Sequence, residues 1–247
     1  MSGLQLSVPG AAYTKYLDIA DYPLQQAGDA LSSLYYLGGS SAASVLNRAA
    51  GFAGAVAGAN VTYQPNYAEF SGSQTDAANY IATADQNNAS PSNTRIAVFQ
   101  HLVPITGTGN RGIFGIFAGL AVGQSIMPDH SYMGNGSTLF NPGNSLVAPD
   151  AKFKFIAHTY DSGTGSFSTY YGLDGIVYLA NTVNAGAGVA GAVQSERIGG
   201  ANSAGTVVGA SRIASVAKHR KVLTLAELQL AHDYLKGRLT KAGIAVY

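Results

Sequence analysis

Cleavage of a glycosidic bond needs two carboxyl groups flanking it, one as acid and one as nucleophile or base. The chain has three glutamates, Glu69, Glu196 and Glu227, and no two of them alternate along one strand-like run. Its 13 acidic residues are scattered over 247 positions, so no catalytic residues are expected and the chain reads as a non-enzyme. The five histidines, His101, His130, His158, His219 and His232, lack the close spacing of a zinc site, and no cysteine supplies a thiolate ligand or nucleophile. Asp129-His130 sets a carboxylate beside a histidine, yet no Gly-x-Ser-x-Gly turn exists to present a serine. Gly107-Thr108-Gly109-Asn110-Arg111-Gly112 has dinucleotide-type glycine spacing. It is followed by Ile113-Phe114-Gly115-Ile116-Phe117, a β-like run where phosphate binding requires a helix N-terminus, so a loop between strands is expected.

Binding chemistry has better material. Sugars are held by aromatic faces together with Asn, Asp and backbone groups that hydrogen-bond hydroxyls. Trp is absent, but Tyr numbers 15. The stretch Asp129-His130-Ser131-Tyr132-Met133-Gly134-Asn135-Gly136 reads as one Gly-rich loop that gathers His130, Tyr132 and Asn135. Tyr170 and Tyr171 complete the candidate ligand-binding set; as neighbours on a strand they face opposite sides, so at least one belongs to the core.

These residues must be positioned by a β framework. Charged residues make up only 11%, Gly numbers 31, and short apolar runs recur between Gly, Asn, Ser and Pro turns every 8 to 15 residues or so, the spacing of a sandwich. The clearest runs are 31–37, 60–64, 95–103, 112–122, 152–160, 167–173, 175–180 and 206–217. In 152–160, Phe153, Phe155 and Ala157 alternate with Lys152, Lys154, Ile156 and His158, which predicts one apolar face. Residues 181–192, rich in Gly, Ala, Val and Asn, read as loops and weak strands at a rim.

One helix is expected, at about 224–242. Thr224-Leu225-Ala226-Glu227 fits a capping box, Leu228, Ala231, Leu235 and Leu239 form one stripe, and Gly243 offers a stop. A second helix at 44–50 is a weaker expectation. Residues 1–29 read as an N-terminal arm, with a short strand at Leu4, Leu6 and Val8 and a turn at Pro9-Gly10. Such an arm either joins the sandwich or docks on a neighbouring subunit, because an unpaired strand edge seeks a partner. Residues 30–247 then form one sandwich domain.

The formal net charge is +1, and the basic residues around His219-Arg220-Lys221 form the densest cluster, so nucleic acid is not an expected partner. The longest apolar stretch, 113–122, is interrupted by Gly115 and Gly119 and is far short of the roughly 20 residues that span a bilayer, so membrane insertion is not expected. Met1-Ser2-Gly3-Leu4-Gln5 lacks the basic start of a secretory signal, and a soluble chain is the expectation.

Three segments carry a resemblance to a known family. Phe155-Ile156-Ala157-His158-Thr159-Tyr160-Asp161 leads through a Gly-rich turn to Tyr170-Tyr171-Gly172-Leu173-Asp174-Gly175; Arg197-Ile198-Gly199-Gly200 ends a strand; Arg220-Lys221-Val222-Leu223-Thr224-Leu225-Ala226-Glu227-Leu228 opens the helix. In this order they resemble the concanavalin A-like lectin/glucanase superfamily, particularly the laminin-G-like modules found in bacteriophage tail and other virion proteins. Leu34-Tyr35-Tyr36-Leu37 and Ala68-Glu69-Phe70-Ser71-Gly72 extend the likeness more loosely.

The resemblance implies an all-β fold, an antiparallel jelly-roll β-sandwich with one C-terminal α-helix and the N-terminal arm. It implies a non-catalytic virion surface protein, of tail fibre or baseplate type, that recognises host-surface glycan. The alternatives are a purely structural virion protein, such as a capsid decoration or baseplate component, and a glycan-degrading enzyme. Expected partners are other virion proteins through the arm, cell-surface polysaccharide and further copies in a homo-oligomer. No cofactor is required, although related modules hold calcium at the rim, and Asp161 and Asp174 stand on turns that would suit it; each Asp is better explained as the cap of its own turn.

Overall fold

The computed structural model describes residues 30–49, 51–71, 77–86, 92–102, 112–116, 122–127, 131–135, 138–140, 152–186, 194–200 and 210–247. The arm, His130 and nearly all of the 107–112 glycine motif lie outside the described residues. The strands are β1 (Leu31–Tyr36), β2 (Val56–Ala57), β3 (Thr62–Tyr63), β4 (Ala68–Phe70), β5 (Ile81–Gln86), β6 (Asn93–His101), β7 (Phe114–Gly115), β8 (Val122–Ile126), β9 (Ser131–Asn135) and β10 (Thr138–Phe140). They continue with β11 (Lys154–Asp161), β12 (Ser166–Leu173), β13 (Ile176–Asn184), β14 (Ser195–Ile198) and β15 (Ser211–His219). A one-turn helix α1 (Ser41–Ser44) and the long helix α2 (Leu225–Lys241) complete the elements used here.

The strands form two antiparallel sheets. Sheet A runs β13-β12-β11-β6-β15-β4-β3, with β1 also paired to β15; sheet B runs β10-β9-β8-β7-β14-β5-β2. The expected jelly-roll sandwich with one C-terminal helix is the architecture observed.

The centre of sheet A, including β11, is buried on both faces, which corrects the single apolar face read from 152–160. Phe155 and Ala157 pack with Ile96, Val98 and Leu34 beneath Leu228, Ala231, Leu235 and Leu239 of α2. On the other face Ile156 joins Ala97, Phe99, Val216 and Tyr35 against Ile81, Phe114, Ile126 and Ile198 of sheet B. The layers are therefore sheet B, sheet A and helix. Gly172 lets α2 settle closely, since a Cβ there would stand 2.6 Å from the buried His232 ring.

The helix begins as its sequence dictates. Thr224 accepts from the Glu227 backbone N–H at 3.3 Å, and Glu227 accepts in return from the Thr224 N–H at 2.8 Å. Its end is closed by Gly243 at φ 83. The C-terminal tail then returns to sheet A, where Phe153 N–H donates to Ala245 O at 2.9 Å and Tyr247 N–H to Phe153 O at 3.1 Å.

Three further expectations change. The second helix is Ser41–Ser44 and not 44–50, because Asn47 turns the chain there. Its Oδ1 accepts from Leu34 and Ala49 N–H, both at 3.0 Å, and its amide donates to Ser32 O at 3.0 Å. The run 112–122 is not one strand: β7 ends at Gly115, and β8, which begins at Val122, returns antiparallel to it, with Phe114 opposite Ile126. β13 continues to Asn184, four residues past the predicted end, because Thr182, Val183 and Asn184 pair with Ser168, Phe167 and Ser166.

Candidate functional site

Of the charged residues that do come together, the sequence singled out only Glu196. Cross-strand register places Lys218 opposite Arg95, Arg95 opposite His158, His158 opposite Thr169, and Thr169 opposite Asn181. One polar row thus crosses sheet A on the face turned toward sheet B. Facing it are Asp85 on β5, Gln124 on β8 and Glu196 on β14.

Arg95 is fully buried and donates to Glu196 Oε1, to Gln124 Oε1 and, at 2.5 Å, to Asn93 Oδ1. Lys218 Nζ lies 2.9 Å from Glu196 and 3.3 Å from Asp85. Ser32 donates to Asp85 Oδ2 at 2.5 Å, and Arg220 reaches Asp85 at 3.5 Å from the rim. Burial alone would raise the Asp85 carboxyl, but Lys218, Ser32 and Arg220 together hold it below its ordinary value. Two carboxylates do meet here, yet both serve Lys218 inside the sandwich. Glycoside cleavage needs an acid and a base open to substrate, and ion pairing of this kind supplies neither.

Burial pushes His158 well below its usual pKa, and Arg95 beside it adds to the effect; its Nε2 has no hydrogen-bond partner. His158 is therefore a neutral ring within the row, stacked edge-on to Phe167 at 5.1 Å. Of the remaining glutamates, Glu69 pairs with Arg212 at 3.0 Å and Glu227 with Lys221 at 2.6 Å. His232, on the buried face of α2, lies 3.0 Å from Asp233, a second adjacent carboxylate–histidine pair.

The described members of the expected binding set fall on two sheets, Tyr132 and Asn135 on β9 of sheet B, Tyr170 and Tyr171 on β12 of sheet A. Tyr132 and Asn135 belong to β9, a strand paired with β8 and β10, and not to a loop; Gly134 lies opposite Gly123 in that ladder. Tyr170 packs partly buried against the helix-side core, and Tyr171 against the inter-sheet core. Asp161 caps its turn, accepting from Gly163 N–H at 2.9 Å and Thr164 Oγ1 at 2.9 Å, and these bonds hold its carboxyl below its ordinary pKa. Asp174, at φ 52, and Gly175, at φ 86, make the tight turn between β12 and β13. Asp161 precedes β12 and Asp174 follows it. The 8 residues of β12 hold them about 26 Å apart, so a single ion cannot take both. Among the described residues no group of three or more His, Asp or Glu side chains is placed to hold a metal.

One surface does collect aromatic groups. Next to the polar row runs an apolar one, Val216, Ala97, Ile156, Tyr171 and Tyr178, in cross-strand register. It emerges at the β12–β13 margin, where Tyr171 and Tyr178 stack with centroids 5.5 Å apart and planes at 26°. Leu173 and Ile176, the next pair toward the turn, lie on the same face and are exposed. Tyr178 is 39% exposed.

No family model matches the chain, and no curated protein matches it. Solved structures do. The fold is shared with botulinum neurotoxin binding domains. The serotype D ligand-binding domain, solved in complex with N-acetylneuraminic acid, has a TM-score of 0.59 and 13% identity over 83% of this chain and 51% of its own. The binding domain of neurotoxin DC, solved in complex with SialylT, has a TM-score of 0.62 and 12% identity, covering 84% and 51%. A type C structure, whose cell entry depends on two ganglioside molecules, gives 0.60 and 11% over 84% and 51%. The chain spans about half the length of these neighbours. The likeness establishes a shared β-sandwich fold. Among the described residues no helix is long and apolar enough to cross a membrane.

Proposed function

We propose that this chain is a non-catalytic carbohydrate-recognition module displayed on a particle or cell surface. The observation that carries this reading is the stacked, partly exposed Tyr171–Tyr178 pair, flanked by Leu173 and Ile176, at the margin of a β-sandwich whose only juxtaposed described carboxylates are locked in buried ion pairs. An aromatic ring with one open face is the standard platform for the C–H face of a pyranose. The glycan ligands of the neurotoxin neighbours support the same class of ligand. The virion setting, the docking of residues 1–29 on other virion proteins and homo-oligomerisation belong to this proposal, and rest on the sequence resemblance. His130, Tyr132 and Asn135 are proposed as further sugar contacts.

A glycan array with the purified chain tests the reading. Tyr178→Ala should lower binding of the best neutral glycan at least tenfold, as loss of a central aromatic anchor does, and Tyr132→Ala should lower it less. Absence of binding to any surface polysaccharide contradicts the proposal.

A structural role in assembly is favoured by one separate observation. β13 carries no charged residue from Ile176 to Asn184, and Leu179 is 52% exposed on the side away from Tyr178. Leu179→Asp should leave glycan binding unchanged; loss of self-association in that variant, seen by sedimentation, would favour assembly.

A further inference from the structure

Asn47 pins the segment after α1 over the start of β1. Its Oδ1 accepts from Leu34 and Ala49 N–H, and its amide donates to Ser32 O at 3.0 Å and to Ala53 O at 3.3 Å. That segment carries Phe52 to the rim where β5 and β15 end and β1 begins, beside Arg220, whose own N–H donates to Ala30 O at 2.6 Å. Here lies a pocket of 250 Å³ lined by Phe52, Arg220, Asp85 and Ser32, and by Gly51, Ala53 and Ala84, which are too small to fill it. Pockets for drug-sized ligands begin at about 300 Å³, so this one suits a single sugar ring.

Two groups in the pocket have hydrogen-bonding capacity to spare. The Arg220 side chain is 52% exposed, and its contacts among the described residues are the Phe52 ring, 4.7 Å from centroid to guanidinium, and Asp85 Oδ1 at 3.5 Å. Neither is a hydrogen bond, so its N–H donors are open to a ligand. On Asp85, Oδ2 accepts from Ser32 at 2.5 Å and Ser33 at 3.4 Å. Oδ1 meets only Lys218 at 3.3 Å and Arg220 at 3.5 Å among the described residues, both longer than an N–H···O hydrogen bond. Burial opposes ionisation there, but Lys218, Ser32 and Arg220 outweigh it, so Oδ1 is a charged acceptor.

The charge balance selects the ligand. An anion on Arg220 would be repelled by the Asp85 carboxylate beside it, and a cation on Asp85 would be repelled by Lys218 and Arg220. A hydroxyl suits both groups, since it donates to Oδ1 and accepts from the guanidinium.

We propose that this rim pocket binds a neutral sugar ring through two neighbouring hydroxyls held between Asp85 Oδ1 and the Arg220 guanidinium, with Phe52 as the positioning residue for that guanidinium. The inference rests on the carbohydrate-binding reading for its ligand class. Its residues are separate from the Tyr171–Tyr178 platform.

Saturation-transfer NMR titration of the whole chain with the methyl glycosides of glucose, galactose and mannose, and with methyl glucuronide, tests the pocket. Saturable binding of at least one neutral glycoside is expected, little affected by salt and retained in Tyr178→Ala. Arg220→Gln should lower its affinity at least tenfold, as loss of a central anchor does, and Arg220→Lys, which keeps the charge but loses the planar fork, should lower it by an intermediate factor. Phe52→Ala should weaken binding, whereas Phe52→Tyr, which keeps the ring, should bind as the parent does. Glycoside binding unchanged in Arg220→Gln, or lost in Tyr178→Ala, overturns the site, as does Arg220-dependent binding of the glucuronide tighter than that of the glucoside. Array glycan binding that depends on Tyr178 while no methyl glycoside binds overturns this inference and leaves the carbohydrate reading standing. Failure of every glycoside and of the glycan array overturns both.

Discussion

The two faces of sheet A are built on opposite principles. Toward α2 the contacts are aliphatic and aromatic: Leu34, Ile96, Val98, Phe155 and Ala157 meet Leu228, Ala231, Leu235 and Leu239. Toward sheet B, the row Lys218, Arg95, His158 and Thr169 places two buried cations against Asp85 and Glu196. The first face accepts any helix stripe of the right width. The second is satisfied in only one register, since a slip of one residue would turn Arg95 toward the helix and leave Glu196 without its partner. Buried ion pairs contribute little net stability against apolar replacements, so the polar face is best understood as setting which strands oppose one another.

The largest expected effect comes from unbalancing the polar face. Arg95→Met leaves Glu196, Gln124 and Asn93 without their common donor and should destabilise by about 3 to 5 kcal/mol in urea denaturation. Arg95→Met combined with Glu196→Met removes both charges and leaves Lys218 paired with Asp85; it should recover most of that loss. Recovery of none would mean that the ion pairs themselves hold the sheets together.

On the apolar face Leu235→Ala should cost about 3 kcal/mol through the cavity it leaves. Leu235→Met should cost less than about 1.5 kcal/mol, because thioether packing tolerates reshaping. No single substitution of Arg95 or Glu196 should be forgiven in that way.

Acid separates the two faces differently. Burial pushes His219 down from 6.5 to about 4, and His158 is lowered as well. Unfolded chains take up protons on these rings below pH 6.5 while the folded chain does not, so stability is complete above 6.5 and is lost as pH falls toward 4. Each histidine should contribute a slope of about 1.4 kcal/mol per pH unit between pH 6 and 5. His219→Leu should flatten the slope by that amount in a pH series of urea melts. The smallest effect belongs to the helix entrance: Thr224→Ala removes the cap and should cost about 1 kcal/mol.

What was legible in the sequence follows local signals. The capping box, the stripe Leu228 to Leu239 and the Asp174-Gly175 turn each lie within a few residues, and each has the predicted form. The polar row draws on residues 85, 95, 196 and 218, whose proximity depends on long-range register. One signal was nonetheless present. In Arg95-Ile96-Ala97-Val98-Phe99 both alternating faces are apolar, so the strand had to be buried on both sides and Arg95 with it. The Gly-rich 129–136 stretch misled in the opposite direction, because residues 131–135 pair as a strand with β8, a long-range contact that glycine content does not signal.

The central claim is that the partly exposed aromatic pair binds carbohydrate while the buried carboxylates do no chemistry. Incubation with a bound surface polysaccharide, following calorimetric binding and new reducing ends in the same sample, tests it most directly. Saturable binding with no new reducing ends, lost in Tyr178→Ala and retained in the Arg95→Met/Glu196→Met double variant, is the predicted result. Release of reducing ends that stops in Asp85→Asn or Glu196→Gln would contradict it.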